Sequence, residues 1–241
     1  MIQCSSQDRV VTITIDRPEK RNALNTALCT AIRTAVQDAV ADGARALVLT
    51  GNGSSFCSGA DLDGVHSAEF RSALHDMLQA VVAAPVPVVA AVNGPAIGAG
   101  TQLAIAADLR VVAPTARFAV PTAKLGLAVD PWTIARLAQL AGHGQAGVLL
   151  LACDELDASG ALACGLADRA GALDVAAGWA AQMAELAPLT LAYNKLALHA
   201  LPGSAAGAEV VAAFERCWSS ADVAEGRRAR VEKRRPVFRG E

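Results

Sequence analysis

The chain has 241 residues, 53% of them hydrophobic, and a formal net charge of −2. That length suffices for one large domain, or a domain with an appendage, and the near-neutral balance excludes general attraction to nucleic acid or to an anionic membrane. Aromatic residues are few (three Trp, one Tyr, five Phe), so a core of Ala, Val and Leu with slim, closely packed helices is predicted.

Residues 9–16 (RVVTITID) are rich in β-branched side chains and read as a strand, ended by Arg17-Pro18 and followed by a charged loop through Asn22. Asn25 is a good N-cap for a helix running to Asp42, with Leu28, Ile32, Ala35, Val36 and Val40 on one face and Gly43 as the stop. Residues 46–50 read as a short buried strand, and 51–58 (GNGSSFCS) as a loop of turn formers. A helix over 67–84 places Phe70, Leu74, Leu78 and Val82 at helical spacing.

The stretch that organises the chain is 92–104 (VNGPAIGAGTQLA). It follows an apolar run, 86–92, suited to a buried strand that Asn93-Gly94-Pro95 stops. Gly98-Ala99-Gly100 reads as a loop almost without side chains, and Thr101 as the start of a helix, so backbone N–H groups lie at its positive end. That arrangement suits an oxygen that must carry negative charge. It is not a dinucleotide fingerprint, because the sixth position is Leu103. A second reading stays open: small residues here could serve only the close packing of helix on sheet.

Further on, residues 108–113 and 118–120 look like short strands, 121–130 is irregular, and a helix starts near Pro131 or Trp132. Residues 132–152, 158–165, 172–187, 189–200 and 204–220 are alanine-rich helical segments with little strand signal. The order predicts an α/β core over 1–190 and a helical C-terminal segment over 191–241.

Charges at Asp8, Arg9, Asp16, Arg17 and Glu19 argue against a signal peptide, and the longest apolar stretch, 80–92, contains two prolines, so no stable membrane insertion is expected. The cysteines at 4, 29, 57, 153, 164 and 217 show no CxxC, and the histidines at 66, 75, 143 and 199 no ligand spacing. Reduced, buried thiols, no metal and a cytoplasmic location are the expectation. The basic stretch GRRARVEKRRPVFRG near the C-terminus reads as a solvated, loosely ordered tail, or as a neighbour of a phosphate-bearing ligand.

Four segments, IDRPEKRNAL at 15–24, FCSGADL at 56–62, AAVNGPAIGAG at 90–100 and VEKRRPVF at 231–238, together resemble the crotonase (enoyl-CoA hydratase/isomerase) family. The resemblance implies a spiral of ββα units with a helical C-terminal trimerisation domain, trimers often paired into hexamers, and an acyl-CoA thioester as ligand, with no cofactor beyond the coenzyme A it carries. It maps two backbone N–H groups that hold the thioester oxygen onto Ala60 and Ala99. Removing one such donor typically costs roughly 3–4 kcal/mol of transition-state stabilisation. It also implies substrate contacts at Ala23, Ser58, Leu62, Gly98 and Pro121. Lys20 and Arg21 fall where the family approaches the CoA phosphates, and Lys233 and Phe238 match a segment that closes over the nucleotide end, sometimes from a neighbouring subunit. Asp61 reads as a loop brace rather than a base; Trp132 and Phe70 read as core or pocket wall.

The departures from the family carry the most information. Its hydratases use two glutamates, and the matching positions here hold Gln102 and Thr122. A neutral amide and a threonine hydroxyl serve neither as the base that takes a proton from water nor as the acid that protonates the α-carbon near pH 7, and general acid–base catalysis is worth roughly 10²–10⁴ per group. Asp130 falls where some non-hydratase members carry a functional aspartate. In Asp130-Pro131-Trp132, however, it also has the sequence of an N-cap followed by proline at the first helical position. Three functions follow in this order: an acyl-CoA-binding protein of fatty-acid metabolism that presents chains to a partner enzyme, an isomerase- or hydrolase-like enzyme using Asp130, and a true hydratase.

Overall fold

Six strands form the larger sheet, in the order β1 (Ile2–Gln7), β2 (Val10–Ile15), β3 (Ala46–Gly51), β4 (Val88–Val92), β6 (Leu109–Val112) and β9 (Arg169–Ala170). The computed structural model describes residues 1–61, 67–199 and 207–241. Only β1 runs antiparallel to its neighbour; from β2 onward every pairing is parallel, in a register that sets Val10 beside Ala46, Leu47 beside Val88 and Val89 beside Leu109. A parallel sheet must be covered on both faces, which is why β3 (ALVLTG) and β4 (VVAAV) are apolar and buried throughout. Leu47, Leu49, Val88 and Ala90 face the main core, against α1 (Thr26–Ala41) and α2 (Ala68–Ala83). Ala46, Val48, Val89 and Val111 face the other way, against Ala176, Ala180 and Met183 of α6 (Leu173–Ala184). Alanines on that helix let it lie close to the sheet.

A second, three-stranded sheet is ordered β5 (Pro95–Ile97), β7 (Arg117–Ala119), β8 (Leu156–Asp157). Two single bridges, Leu24 with Ala60 and Cys57 with Ala96, continue its pattern through the earlier chain. Each turn therefore supplies a strand to the large sheet, a short strand or bridge to the small one, and a helix. The series is β2, Leu24 and α1; β3, residues 57–60 and α2; β4, β5 and α3 (Ala99–Ala106); β6, β7 and α4 (Pro131–Gly147). This is the expected ββα spiral.

After α4 and a further turn at Val148–Ala152 come α5 (Ala158–Cys164), α6, α7 (Pro188–His199), α8 (Gly207–Ser219) and α9 (Ala221–Glu232). Residue 190, expected to end the core, lies inside α7, and that helix is fastened to the core by a buried lysine. Lys195 Nζ donates to the carbonyls of Val81 (3.0 Å) and Val86 (3.1 Å) and pairs with Asp108 (2.9 Å), which also receives the Val88 amide and His199.

Several local expectations are corrected. Helix α3 starts at Ala99 rather than Thr101, so Ala99 and Gly100 form its first turn and are not loop. Strands β1, β5, β8 and β9 had no counterpart in the sequence reading; β1 is an exposed polar edge, and β8 and β9 are two residues each. Cys4 is exposed, and Cys164 and Cys217 are only partly buried. The basic C-terminal stretch is helical to Glu232 and then folds back, with Asp222 accepting the amides of Arg239 and Gly240, and Glu225 that of Val237. Among the described residues no helix is long and apolar enough to cross a membrane, and no cluster of three or more His, Cys, Asp or Glu side chains could hold a metal ion.

Candidate functional site

The site forms where the second and third turns of the spiral meet. Beyond β3, the loop is stapled by Asn22, a fully buried side chain whose Nδ2 donates to the carbonyls of Asn52 (2.9 Å) and Ser55 (2.7 Å). Its Oδ1 accepts the amide of Arg17 (3.0 Å), so one asparagine fixes both loops. Leu24 then grips the backbone on either side of Ala60: its N–H donates to Gly59 O and its carbonyl accepts from Asp61 N, each at 2.7 Å. In a parallel bridge the residue so flanked turns its own N–H away from its partner. The Ala60 amide accordingly has no acceptor among the described residues.

Ala99 reaches the same state by another route. As the first residue of α3 its N–H has no intrahelical partner, and none is supplied by a neighbouring side chain. The two amides are brought together by close backbone contact. A side chain on Gly100 would begin 2.0 Å from the Cys57 carbonyl, and one on Gly59 would begin 2.7 Å from the Ile97 carbonyl. Two unpaired amides from adjacent turns, one backed by a helix N-terminus, can hold an oxygen that gains negative charge.

Both alanines line a cavity of about 510 Å³. Ser58, Gly98, Gln102, Pro121, Thr122 and Asp130 line it with them, so these expected residues are brought together. The remaining wall is largely apolar, from Phe70, Leu74 and Leu78 of α2 and from Leu125, Leu127 and Val129. Sequence reasoning missed Arg71 and His75, which lie beside the α2 stripe and also line the cavity. Their signal was present: Arg71 and His75 are one helical turn apart, next to Leu74 and Leu78.

Asp130 caps α4, accepting the Thr133 amide (3.1 Å) on Oδ1 and the Thr133 hydroxyl (2.6 Å) on Oδ2. Oδ2 also accepts from Gln102 Nε2 (3.0 Å), which donates to the Thr133 hydroxyl oxygen as well (2.8 Å). Gln102 is buried and Thr133 fully so, which makes this a closed polar triangle in the cavity wall.

The other expected residues lie around the rim or elsewhere. Asp61 forms an ion pair with Arg17 (2.9 Å), and Arg17 also holds the Ala23 carbonyl (3.0 Å). Lys20 and Arg21 are exposed on a turn whose Arg21 carbonyl accepts the Ser58 amide (3.0 Å), which sets them beside the cavity. Leu62 lies outside the described residues. Lys233 and Phe238 do not line the cavity. The Phe238 carbonyl accepts from Arg45 (3.3 Å), at the N-terminal end of β3, whereas the cavity lies beyond the C-terminal ends of the strands. Trp132 packs partly buried against the core. Burial pushes the Cys57 and Cys29 thiols up to about 12, so neither is a nucleophile near neutral pH.

A ββα spiral with its cavity at the seam between successive turns is the crotonase fold. The family's sequence model, described as Enoyl-CoA hydratase/isomerase, matches residues 5–241, and the chain belongs to that family. It is similar to the probable enoyl-CoA hydratase echA6 of Mycobacterium tuberculosis (strain CDC 1551 / Oshkosh), 47% identical over 245 residues and covering 100% of both chains. The 2,3-dehydroadipyl-CoA hydratase of Escherichia coli (strain K12) is 32% identical over 248 residues, 98% of this chain and 97% of that one. Among solved structures, a putative enoyl-CoA hydratase from Streptomyces coelicolor A3(2) superposes with a TM-score of 0.90 at 32% identity, covering 100% of this chain and 94% of that one. An enoyl-CoA hydratase from Bacillus anthracis gives a TM-score of 0.90 at 28% identity, covering 100% and 99%.

Proposed function

We propose that this protein binds fatty acyl-CoA thioesters, with the thioester oxygen between the Ala60 and Ala99 amides and the acyl chain along the α2 wall, and that it hydrates them poorly or not at all. The observation that carries this reading is the state of Gln102. Hydration needs one group to take a proton from water and another to protonate the α-carbon, and Gln102 stands where family hydratases carry one of those carboxylates. Its Nε2 is committed to Asp130 and Thr133. Thr122, at the second position, offers only a hydroxyl. Losing both groups forfeits roughly 10²–10⁴ each. Neutral groups at 102 and 122 also suit a cavity that takes a saturated chain, because neither position adds a carboxylate to be desolvated when it fills.

The protein acts in lipid metabolism in the cytoplasm as a trimer or hexamer and passes acyl chains to an enzyme partner. In such an assembly the tail carrying Lys233 and Phe238 reaches the nucleotide end of a neighbour's ligand. The names of the relatives favour hydration, and Asp130 in the cavity wall favours an isomerase or hydrolase. Against the latter, both Asp130 oxygens already accept hydrogen bonds.

A paired measurement tests the reading: calorimetric titration of a long-chain saturated acyl-CoA, then incubation of crotonyl-CoA with concentrated protein and mass spectrometry of the products. Saturable binding with negligible hydration is expected. Rapid formation of 3-hydroxybutyryl-CoA would overturn the reading.

A further inference from the structure

We propose that the open edge of β1, with the groove between it and α1, binds an extended segment of a partner protein that carries a lysine or arginine. The segment adds as a further strand to the large sheet, at a groove that shares no described lining residue with the acyl cavity. Docking here is independent of thioester binding.

Among the described strands, β1 is outermost in its sheet and has only β2 beside it. Met1 and Asp16 exchange two bonds, Asp16 N to Met1 O (2.8 Å) and Met1 N to Asp16 O (3.0 Å). Antiparallel pairs alternate between bonded and non-bonded. In this register Gln3, Ser5 and Gln7 bond to β2, and Ile2, Cys4 and Ser6 turn their N–H and C=O groups to the open side. Natural edges are commonly blocked by lysine, proline or a bulge. The sequence IQCSSQ has neither charge nor proline, and its register is unbroken. Ile2, Cys4 and Ser6 also line a cavity of about 700 Å³ between β1 and α1, within the range of roughly 300–1,000 Å³ for ligand sites. Ala31, Ala35 and Ala39, on one face of α1, form its helical wall and leave room that larger side chains would fill. An open strand edge beside a helix is a recurrent way to bind extended peptides: main-chain bonds give affinity and alternate side chains give specificity.

Charge selects the occupant. Helix α1 returns the chain from β2 to the parallel strand β3, so it runs in the direction of β1 and its C-terminal end lies beside Ser6. Asp38 and Asp42 line the groove at that end, one turn apart, where the helix dipole is already negative. Partial burial, then the charge of Asp38, push the Cys4 thiol up, which sets that carboxylate beside the middle of β1. Among the described residues neither carboxylate has a hydrogen-bond or ion-pair partner; Arg9 lines the same end and pairs with neither, so one negative charge is in excess. A segment added antiparallel to β1 then reads basic–x–apolar–x–apolar, with its cation opposite Ser6 and its apolar side chains opposite Cys4 and Ile2. β1 itself carries no basic residue, so a second copy paired through the same edge would bring no strand side chain to compensate Asp38 and Asp42.

The test uses the full-length protein and two synthetic peptides capped at both ends, Ser-Lys-Thr-Val-Thr-Val-Ser and the same peptide with Glu in place of Lys. Fluorescence anisotropy reads affinity, and NMR reads amide exchange with solvent along β1. Expected is saturable binding of the Lys peptide, with the Glu peptide weaker by about tenfold or more. Exchange should slow by about tenfold at Cys4 and Ser6 and stay unchanged at Gln3 and Ser5, which already bond to β2. Replacing both carboxylates, Asp38→Asn with Asp42→Asn, should weaken the Lys peptide by about 3–10-fold. Cys4→Pro removes an N–H that faces the open side, where an edge strand tolerates proline, and should abolish binding with little change in Tm. If Cys4→Pro folds poorly, the exchange pattern of the unmutated protein still decides. No saturable binding of the Lys peptide, equal binding of the two peptides, or binding without slower exchange at Cys4 and Ser6 overturns the proposal. So does protection of Cys4 and Ser6 that grows with protein concentration in the absence of peptide, which would give the edge to a second copy.

Discussion

Gln102 and Asp130, 28 residues apart in sequence, meet in the cavity wall with Nε2 donating to Oδ2 at 3.0 Å. The same nitrogen reaches the Thr133 hydroxyl, which itself donates to Asp130, so α3 and the start of α4 are tied by three side chains. A glutamate at position 102 could not donate to Asp130; it would set a second carboxylate against the first. The local architecture at the start of α4 thus depends on an amide at position 102.

Removing Asp130 tests that architecture. Asp130→Ala uncaps α4 and strips the acceptor from the buried Gln102 and Thr133 side chains, and should cost about 2–3 kcal/mol in urea unfolding. Asp130→Asn keeps a capping oxygen for the Thr133 amide but turns an NH2 toward Gln102 Nε2, and should cost less than Asp130→Ala, about 1–2 kcal/mol. Equal losses for the two variants would mean that the cap is not what the carboxylate contributes.

The seam between turns is a second point of leverage. In Gly100→Ala the new methyl would meet the Cys57 carbonyl oxygen at 2.0 Å and its carbon at 2.9 Å, both backbone atoms that cannot swing aside. The turns must part, which should cost about 3 kcal/mol or more and lower acyl-CoA affinity. Gly178→Ala is the control: its Cβ has open space in α6, and removing a helical glycine should stabilise by about 0.5–1 kcal/mol. Melting temperatures that fall equally for both would refute the close-contact argument.

These examples also mark what the sequence discloses. The β-branched run of β2, the short apolar runs of β3 and β4 and the caps Asn25 and Asp130 were legible because each signal lies within a few residues. The start of α3 was not, because Ala99-Gly100 has loop composition, and it is strand β5 that delivers the chain into helical geometry there. Asn22 looked like part of a charged loop; its value lies in carbonyls 30 and 33 residues away. His75 and Arg71 sit beside a stripe correctly read as apolar, but which flank of a stripe meets a cavity is decided by packing. The C-terminal fold-back depends on Asp222 and Glu225, which precede the basic stretch and were not singled out in the sequence.

Lys195 is the clearest test of how α7 is held. Burial pushes the Asp108 carboxyl up, but hydrogen bonds from His199, Lys195 and the Val88 amide outweigh it and leave the group below the usual carboxylate range. Asp108 therefore stabilises the fold above the unfolded carboxylate pKa of about 3.9, and that contribution is lost as pH falls through the depressed folded value. Lys195→Met leaves a buried carboxylate with one partner fewer and should cost about 3–5 kcal/mol near neutral pH. Without Lys195 part of what lowers the Asp108 pKa is gone while burial still raises it, so the folded pKa rises relative to the native protein and the deficit should shrink as pH is lowered from 7.5 to 5. Urea midpoints at the two pH values decide it; a deficit independent of pH would remove Asp108 from the account.

The C-terminal fold-back holds a second depressed carboxylate, this one paired with arginines that reach solvent. Glu225 accepts from Arg234 through two contacts (2.6 and 3.0 Å), from the Val237 amide (2.9 Å) and from Arg228. The Arg234 hydrogen bonds, then the Val237 amide, then Arg228 hold its carboxyl well below the usual range. A depressed folded pKa gives a contribution that is present above about pH 4.3 and lost only as pH falls through the lower folded value. The tail should therefore remain docked at pH 5, and the Val237, Arg239 and Gly240 amides should exchange slowly with deuterium there. Glu225→Ala should speed exchange at Val237 at least tenfold, and at Arg239 and Gly240 less, because Asp222 still holds those two. Glu225→Gln, which keeps the acceptor without the charge, should fall between. Protection of Val237 unchanged in Glu225→Ala would show that Asp222, with the contact from the Ala221 amide to the Glu241 carbonyl (2.6 Å), docks the tail by itself.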